Sequence, residues 1–190
     1  MADPGRVILL NGPSSSGKSS VGRALPPLME DPWFLVPVDA INALRSTEPR
    51  RELDDAELAE VLARTRRGYH RVIAALASAG NDVVMDYPLS EPWRLADLLD
   101  VLEDVDVTLV DVRCDPDELV RRERARGDRP VGLAASQHVF DHDDRDLTVD
   151  TTVTSPDDCA AAIAAGLPTL GRPKAFDRLR ERGASALGAG

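Results

Sequence analysis

The chain has 190 residues, of which 43% are hydrophobic, and this excludes a disordered polypeptide and favours one globular domain with a buried core. The excess of 33 acidic over 23 basic residues, a formal net charge of −10, disfavours nucleic acid as a partner because like charges repel. The N-terminus lacks the apolar core of a signal peptide, and no apolar run reaches the roughly 18 residues of a membrane span. We therefore expect a cytoplasmic protein with no membrane partner.

The first predicted element is a buried parallel strand, the apolar run RVILL at residues 6–10. The segment NGPSSSGKSS follows it directly, and residues 12–19 match the phosphate-loop pattern G-x-x-x-x-G-K-[ST]. A helix is predicted from Gly17 to Leu28, so the pattern stands between a strand and a helix, as a phosphate loop requires. The segment therefore predicts a nucleotide-binding site.

Each residue type in this loop has a chemical task in binding phosphate. Gly12 and Gly17 permit backbone conformations that a Cβ atom would obstruct, and the backbone N–H groups can then cradle phosphate oxygens. Lys18 supplies positive charge for the β- and γ-phosphates, and Ser19 offers a hydroxyl to Mg²⁺. Pro13 removes one N–H donor. The predicted nucleotide contacts in the loop are Gly12, Pro13, Ser14, Ser15, Ser16, Gly17, Lys18, Ser19 and Ser20.

Strands and helices alternate along the rest of the chain. This alternation predicts right-handed crossovers and a three-layer α/β sandwich around a mostly parallel sheet of five strands. We expect a domain at residues 1–170, which includes a small helical lid at about 122–145, and a C-terminal tail at 171–190. After the first strand and helix, the sequence predicts strands at 33–39, 82–86, 106–114 and 146–152 and helices at 56–79, 91–103, 116–126 and 155–167.

Two aspartates end predicted strands, and the carboxyl ends of parallel strands form the ligand crevice of such a sheet. Asp39, after the second strand, is placed to orient an acceptor hydroxyl and to accept its proton; the alternative is an N-cap for the next helix. Asp86, after the third strand, is a candidate for holding Mg²⁺; contact with the acceptor, or a turn before Tyr87, are the alternatives. The end of the fourth strand is expected at the same crevice.

A run of arginines, RRERARGDR at residues 121–129, is conspicuous in an acidic chain. Arg121 and Arg124 fit a solvated helix face on which they pair with glutamates. Arg126 and Arg129 flank a break at Gly127 and lead into the predicted lid. We expect their guanidinium groups to bind phosphate oxygens in a closed, water-excluding site.

Six segments within residues 6–165 carry a family resemblance: ILLNGPSSSGKSS, VPVDAINAL, VVMDYPL, LVDVRCDPDEL, ERARGDRPVGLAASQ and VDTTVTSPDDCAAAI. In this order they resemble the chloramphenicol phosphotransferase-like proteins, which are small antibiotic kinases with a phosphate-loop fold. The lid segment and the VDTT strand are more specific signals than the phosphate loop. The region at 44–80, which would line the acceptor pocket, is more charged than a pocket for an apolar antibiotic suggests.

The resemblance implies ATP- and Mg²⁺-dependent phosphorylation of a hydroxyl on a small molecule. It implies a P-loop NTPase fold of the nucleoside/shikimate-kinase type with a small helical lid. By position, Asp39 would be the base, Lys18 and Ser19 would bind phosphate and Mg²⁺, and Arg126 and Arg129 would contact phosphates. Arg122, from the same arginine run, is assigned to the nucleotide, and Ser19 and Asp86 are assigned to the metal.

Two other functions fit the same residues. A metabolite kinase of the shikimate or gluconate type would need a basic acceptor pocket. A nucleotide-binding regulatory protein would have no acceptor; the absence of a guanine-reading N-K-x-D segment and the arginine-bearing lid favour transfer instead. An assembly of identical copies is compatible with the sequence. The candidates for a basic acceptor pocket are Arg45, Arg50, Arg51, Arg66 and Arg67.

Overall fold

The computed structural model describes residues 3–46, 52–127 and 132–187. Within these residues, five parallel strands form one sheet in the order β2-β3-β1-β4-β5. The strands are β1 Arg6–Asn11, β2 Trp33–Pro37, β3 Asp82–Asp86, β4 Asp106–Arg113 and β5 Leu147–Asp150. The helices are α1 Lys18–Ala24, α2 Val38–Ala43, α3 Asp55–Ser78, α4 Pro92–Val101, α5 Pro116–Arg126, α6 Pro156–Gly166 and α7 Ala175–Leu187.

Helices cover both faces of the sheet, which confirms the predicted three-layer α/β sandwich. Helices α3, α4 and α7 pack on one face, where Tyr69, Met85, Leu98 and Phe176 belong to a single buried cluster. Helices α1 and α6 pack on the other face around a second cluster that includes Ile8 and several valines. Because both faces are covered, the central strands are continuous apolar runs, as the sequence indicates.

The sheet register brings the ends of three strands to one level. Leu10 of β1 pairs with Asp86 of β3, and Asp86 pairs with Pro37 of β2. The phosphate loop leaves β1 one residue later, and α2 begins directly after Pro37. The loop, the start of α2 and the end of β3 therefore meet at the carboxyl edge of the sheet.

Two of the predicted boundaries that are wrong lie close to the phosphate loop and Asp39. The helix predicted to end at Leu28 ends at Ala24, and a short 3₁₀ turn covers Pro26–Leu28, because a proline cannot donate its backbone nitrogen to a continuing helix. The strand predicted at 33–39 ends at Pro37, so Asp39 is in the first turn of α2 and is not at the end of a strand. A carboxylate in a first helical turn is stabilised by the positive end of the helix dipole.

The ends of α5 and α6 lie where the sequence predicts them. Asp115 caps α5 by accepting a hydrogen bond from the backbone N–H of Asp117 at 2.9 Å, and Gly127 ends the helix in a left-handed conformation with φ +67°. Ser155 caps α6 through the backbone N–H of Asp158 at 3.1 Å.

Residues 171–190, the tail predicted from the sequence, include helix α7. Ala175, Phe176 and Leu179 of this helix belong to the buried cluster on the α3/α4 face. Arg180 donates hydrogen bonds to the carbonyl oxygens of Leu99 and Leu102 at 3.0 and 2.7 Å. The hydrophobic core therefore extends beyond the boundary predicted at residue 170.

Among the described residues, none of the helices combines the length and the apolar character needed to cross a bilayer.

Candidate active site

A crevice with a volume of about 760 Å³ opens at the carboxyl edge of the sheet. The phosphate loop, the first turn of α2, the end of β3, the arginine side of α5 and the residue that follows β5 line it. The end of β4 is not among its lining elements, contrary to the expectation from the sequence. The lining includes Ser14, Lys18, Ser19, Ser20, Asp39, Asp86, Arg122, Gln137 and Thr151.

The phosphate loop has a backbone that only small residues permit. Gly17 has φ +87° and Ser15 has φ +61°, both in the left-handed region. A Cβ atom on Gly12 would lie 2.4 Å from the carbonyl oxygen of Val112 in β4. Only glycine therefore fits at this position of the loop. A loop with left-handed residues directs successive N–H groups inward, and such a concavity fits a phosphate group. The residues present therefore fit the phosphates of a nucleoside triphosphate.

Lys18 is the first residue of α1 and is only 7% exposed. Its Nζ donates to the carbonyl oxygen of Pro13 at 2.6 Å and lies 3.5 Å from Oγ of Ser16. Pro13 thus supplies an acceptor that holds the ammonium group over the loop, although it lacks an N–H donor. The positive end of the α1 dipole and the ammonium charge reinforce each other at this point.

Ser19 and Asp86, the two predicted metal ligands, are in direct contact. The Ser19 hydroxyl donates to Oδ2 of Asp86 at 2.6 Å. A hydroxyl and a carboxylate are oxygen ligands of the kind that Mg²⁺ prefers, and this pair would hold the ion beside the loop. The described part of the chain has no group of three or more His, Cys, Asp or Glu side chains suited to a metal. Phosphate oxygens and water would therefore complete the coordination.

Arg122 lines the crevice and also supports the phosphate loop through hydrogen bonds. Its Nη2 donates to the carbonyl oxygen of Thr151 at 2.6 Å, and its Nε donates to Glu118 at 2.7 Å. The Thr151 hydroxyl donates in turn to the carbonyl oxygen of Ser16 at 2.6 Å. This chain of contacts fixes the loop against α5. The sequence reasoning missed Thr151, although its place just after β5, at the carboxyl edge, was an available signal.

Two side chains without a sequence signature, Glu123 and Gln137, connect the segment after α5 to α5 and to the phosphate loop. Glu123, 1% exposed, accepts hydrogen bonds from the backbone N–H groups of Gly132 and Ala134 at 2.8 and 2.7 Å. These contacts tie the predicted lid segment to α5. Oε1 of Gln137 then accepts a hydrogen bond from the backbone N–H of Ser14 at 2.6 Å. A glutamine in a short loop has no pattern that would have identified it.

Of the two arginines predicted at the lid, the structure describes only the backbone of Arg126. Arg126 is the last residue of α5, and its side chain lies outside the described part of the chain. Arg129 lies outside the described residues altogether. Their contact with phosphate stays a prediction. Arg121, predicted to be on a solvated face, pairs with Glu118 at 2.6 Å and also lines the crevice.

The arginines considered for the acceptor pocket have different environments. Arg45 is exposed, and Arg66 is partly buried on α3. Arg67 lies over the ring of Trp93 with its guanidinium carbon 4.7 Å from the ring centroid. Arg50 and Arg51 lie outside the described residues. Sequence reasoning missed a further arginine, Arg94, which is buried at the start of α4.

A phosphate loop at the carboxyl edge of this sheet, with a buried lysine and a serine–aspartate pair beside it, defines the class of the protein as a phosphate-loop phosphotransferase. The chain belongs to the chloramphenicol phosphotransferase-like family, whose model matches residues 5–168. A protein of Mycobacterium tuberculosis strain H37Rv, named as a proposed O-phosphotransferase, is 30% identical over 200 residues, which cover 94% of this chain and 89% of the relative. Both findings confirm the predicted family.

Solved structures of several proteins share the fold. The Mycobacterium tuberculosis APS kinase, solved in complex with AMPPNP and APS, has a TM-score of 0.65 at 21% identity and covers 88% of this chain and 99% of its own. A gluconokinase of Sinorhizobium meliloti has a TM-score of 0.60 at 20% identity, over 89% and 94% of the two chains. The tunicamycin resistance protein of Deinococcus radiodurans has a TM-score of 0.63 at 19% identity, over 89% and 99%. These likenesses confirm the predicted phosphate-loop kinase fold.

Proposed function

We propose that the protein is an ATP-dependent O-phosphotransferase that moves the γ-phosphate to a hydroxyl of a small molecule. The observation that carries this proposal is the lining of one crevice, to which the phosphate loop, Asp39 in the first turn of α2 and the arginine side of α5 all contribute. A phosphoryl transferase needs a phosphate cradle, a group that orients the acceptor hydroxyl and a space that holds both substrates. A cavity of about 760 Å³ supplies that space.

In the proposed reaction the acceptor oxygen attacks the γ-phosphorus, and the bond from that phosphorus to the β–γ bridging oxygen breaks. Asp39 takes the proton of the acceptor hydroxyl, and ADP leaves with the electron pair of the broken bond. Lys18 and the loop N–H groups balance the charge on the phosphates. Arg126 and Arg129 are proposed to contact the transferring group from the lid, as the family resemblance implies.

When bound, Mg²⁺ neutralises charge on the β- and γ-phosphate oxygens, and Ser19 with Asp86 would hold it. We expect Ser19→Ala and Asp86→Asn each to raise the Mg²⁺ concentration for half-maximal activity about tenfold, the low end of what metal-supporting residues contribute. Because the two side chains are 2.6 Å apart, the double variant should lose less than the product of the two single effects. Titration of activity with Mg²⁺ at saturating nucleotide measures this. Fully multiplicative effects would mean that the two residues do not act on one ion.

The acceptor has two candidate classes within this proposal. The family name points to an antibiotic, whose phosphorylation would block binding to its target and confer resistance. The basic side chains of α3 and α4 favour the second class, a charged metabolite. A cytoplasmic location follows from either, since ATP is the proposed donor.

The test is ADP release by the wild-type protein with Mg²⁺-ATP against a panel of hydroxylated antibiotics, sugars, cyclitols and hydroxy acids. We expect one class of acceptor to stimulate ADP release at least tenfold over the basal hydrolysis rate and to yield a phosphorylated product by mass spectrometry. Replacing ATP with GTP tests the donor. Binding of AMPPNP without stimulation by any acceptor would contradict the proposal and favour a regulatory nucleotide-binding protein.

A further inference from the structure

Three arginines form what we call the arginine cluster: Arg66, with Arg94 and Arg45, whose charges act on it. None of the three lines the crevice, but Arg94 contacts Pro88, which does. Helix α3 leads into β3 through a short connection, so its earlier turns lie toward the carboxyl edge of the sheet. Tyr69 on α3 donates its hydroxyl to the carbonyl oxygen of Val36 at 2.6 Å, next to the start of α2. Arg66 lies one turn before Tyr69, and it is therefore still nearer to that edge.

Arg94 links the cluster to the crevice. It is 5% exposed, and its Nη1 donates to the carbonyl oxygen of Pro88 at 3.0 Å; Pro88 itself lines the crevice. Its guanidinium carbon lies 5.5 Å from the ring centroid of Tyr87, and it forms an ion pair with Glu91. Two buried donors have no hydrogen-bond partner among the described residues, namely Nε of Arg94 and the hydroxyl of Tyr87. Buried polar groups are rarely left without a partner unless a ligand or water supplies it.

Arg66 has no ion-pair partner among the described residues, and Glu91, the carboxylate whose charge acts on it, is engaged elsewhere. Glu91 uses Oε1 for Arg94 and Oε2 for the indole N–H of Trp93 at 2.8 Å. The single negative charge of Glu91 therefore acts on both Arg94 and Arg66 and does not neutralise both.

The electrostatic environment of Arg66 agrees with this geometry. Burial lowers the pKa of Arg66, and the charges of Arg94 and then Arg45 lower it further, while Tyr87 and Glu91 act in the opposite direction. A guanidinium group stays charged in proteins, so partial burial beside two other cations is unfavourable. An anion at this point would relieve the repulsion.

We propose that Arg66 and Arg94 bind an anionic group, a carboxylate or a phosphate, of the acceptor. This rests on the proposed function, and it narrows the acceptor to a hydroxylated acid or phosphoester. Guanidinium forks bind planar carboxylates and phosphate oxygens bidentately, and charge-assisted hydrogen bonds are the strong ones. Arg45 contributes long-range attraction from its exposed position.

The first experiment measures anion binding without turnover. The chain has two tryptophans, so Trp33→Phe leaves Trp93 as the single tryptophan, which can be excited selectively; it lies under Arg67 and 5.9 Å from the guanidinium carbon of Arg94. The phosphate loop is filled with Mg²⁺-AMPPNP, and inorganic phosphate is then titrated at constant ionic strength. We expect a saturable change in Trp93 fluorescence in the millimolar range.

Variants of Arg66 decide whether that signal comes from the cluster. Arg66→Gln should weaken phosphate binding at least tenfold, and Arg66→Lys, which keeps the charge and loses the fork, should have an intermediate effect. Arg64→Gln, an exposed arginine on the same helix, is the matched control and should bind as the parent does. Affinity for AMPPNP should be equal in all variants, which shows that they are folded. A response that does not saturate, or equal binding by Arg66→Gln and Arg64→Gln, overturns the inference.

The second experiment separates this inference from the proposed function. Hydroxy acids such as shikimate, quinate and gluconate are compared with their methyl esters as acceptors. We expect a preference of at least tenfold in kcat/KM for the acid, which Arg66→Gln abolishes. Equal phosphorylation of acid and ester would overturn the anion site and leave the transferase intact. Phosphate binding that depends on Arg66, with no acceptor phosphorylated, would support the anion site and contradict the transferase.

Discussion

The Asp39→Asn variant is expected to lose about 10³-fold in kcat, with little change in its affinity for Mg²⁺-AMPPNP. General-base catalysis contributes roughly 10²–10⁴-fold to a rate, and asparagine cannot accept the proton of the acceptor hydroxyl. The replacement is nearly isosteric, so the first turn of α2 and the wall of the crevice should be preserved. The loss therefore belongs to the chemical step.

Single-turnover measurement of phosphoryl transfer, beside a binding titration with AMPPNP, checks this expectation. Asp55→Asn is the matched control, because Asp55 also lies in a first helical turn, that of α3, and is exposed. The control removes the same interaction with a helix dipole and should stay within twofold of wild type in kcat. If Asp39→Asn kept a tenth or more of the wild-type kcat, the carboxylate would be a helix-terminal residue and not the base.

The phosphate loop could be predicted from the sequence because its chemistry is local. Eight consecutive residues between an apolar strand and a helix determine the backbone turns, the lysine and the metal-binding hydroxyl. Asp86 could be located because β3 is a clear apolar run that ends on it. Its contact with Ser19 spans 67 positions of sequence but follows from the parallel sheet, which brings both residues to one edge.

The supports of the loop could not be predicted, because they depend on packing between distant segments. Gln137 reaches Ser14 across 123 positions, and Thr151 reaches Ser16 across 135. Both contacts use ordinary polar side chains whose partners are backbone groups, and these leave no compositional trace. The position of Asp39 was also missed in detail, since the helix begins immediately after Pro37 without a polar cap residue.

The arginine cluster could not be predicted from the sequence for the same reason, namely that it depends on packing. Arg66 was one of five candidates of equal standing in the sequence, and only burial distinguishes it from Arg67, which lies exposed over Trp93. Arg94 sits on an amphipathic helix and has the pattern of a solvated residue. Its burial results from the packing of α4 against α3, which no local pattern encodes.

Helix α7 lies in the segment that the sequence reasoning separated from the domain as a tail. The segment from residue 171 is rich in charged residues and ends in small ones, and from this composition we expect a tail with a short helix and a disordered end. Two contacts hold the start of the helix: Lys174 forms an ion pair with Asp106 at 2.7 Å, and the backbone N–H of Ala175 donates a hydrogen bond to Asp146 at 2.7 Å. They bring Phe176 to the α3/α4 face of the sheet, where it is 1% exposed.

We therefore expect Phe176→Ala to lower the free energy of unfolding by about 3–5 kcal/mol, the usual cost of truncating a buried phenylalanine. Since domains of this kind are stable by only about 5–15 kcal/mol, the variant should unfold at a markedly lower urea concentration or lose cooperative unfolding. Equilibrium unfolding in urea, followed by circular dichroism, measures the change. Val153→Ala, at a valine that is 94% exposed, is the control and should change the free energy by less than about 0.5 kcal/mol.

The two results together decide whether α7 unfolds together with the domain or independently of it. A large loss in Phe176→Ala with the same slope of unfolding free energy against urea means that α7 unfolds with the rest of the domain, and the domain then extends past residue 170. A loss as small as that of Val153→Ala would mean that the helix opens without the core, as a docked tail does, and the predicted boundary would be correct.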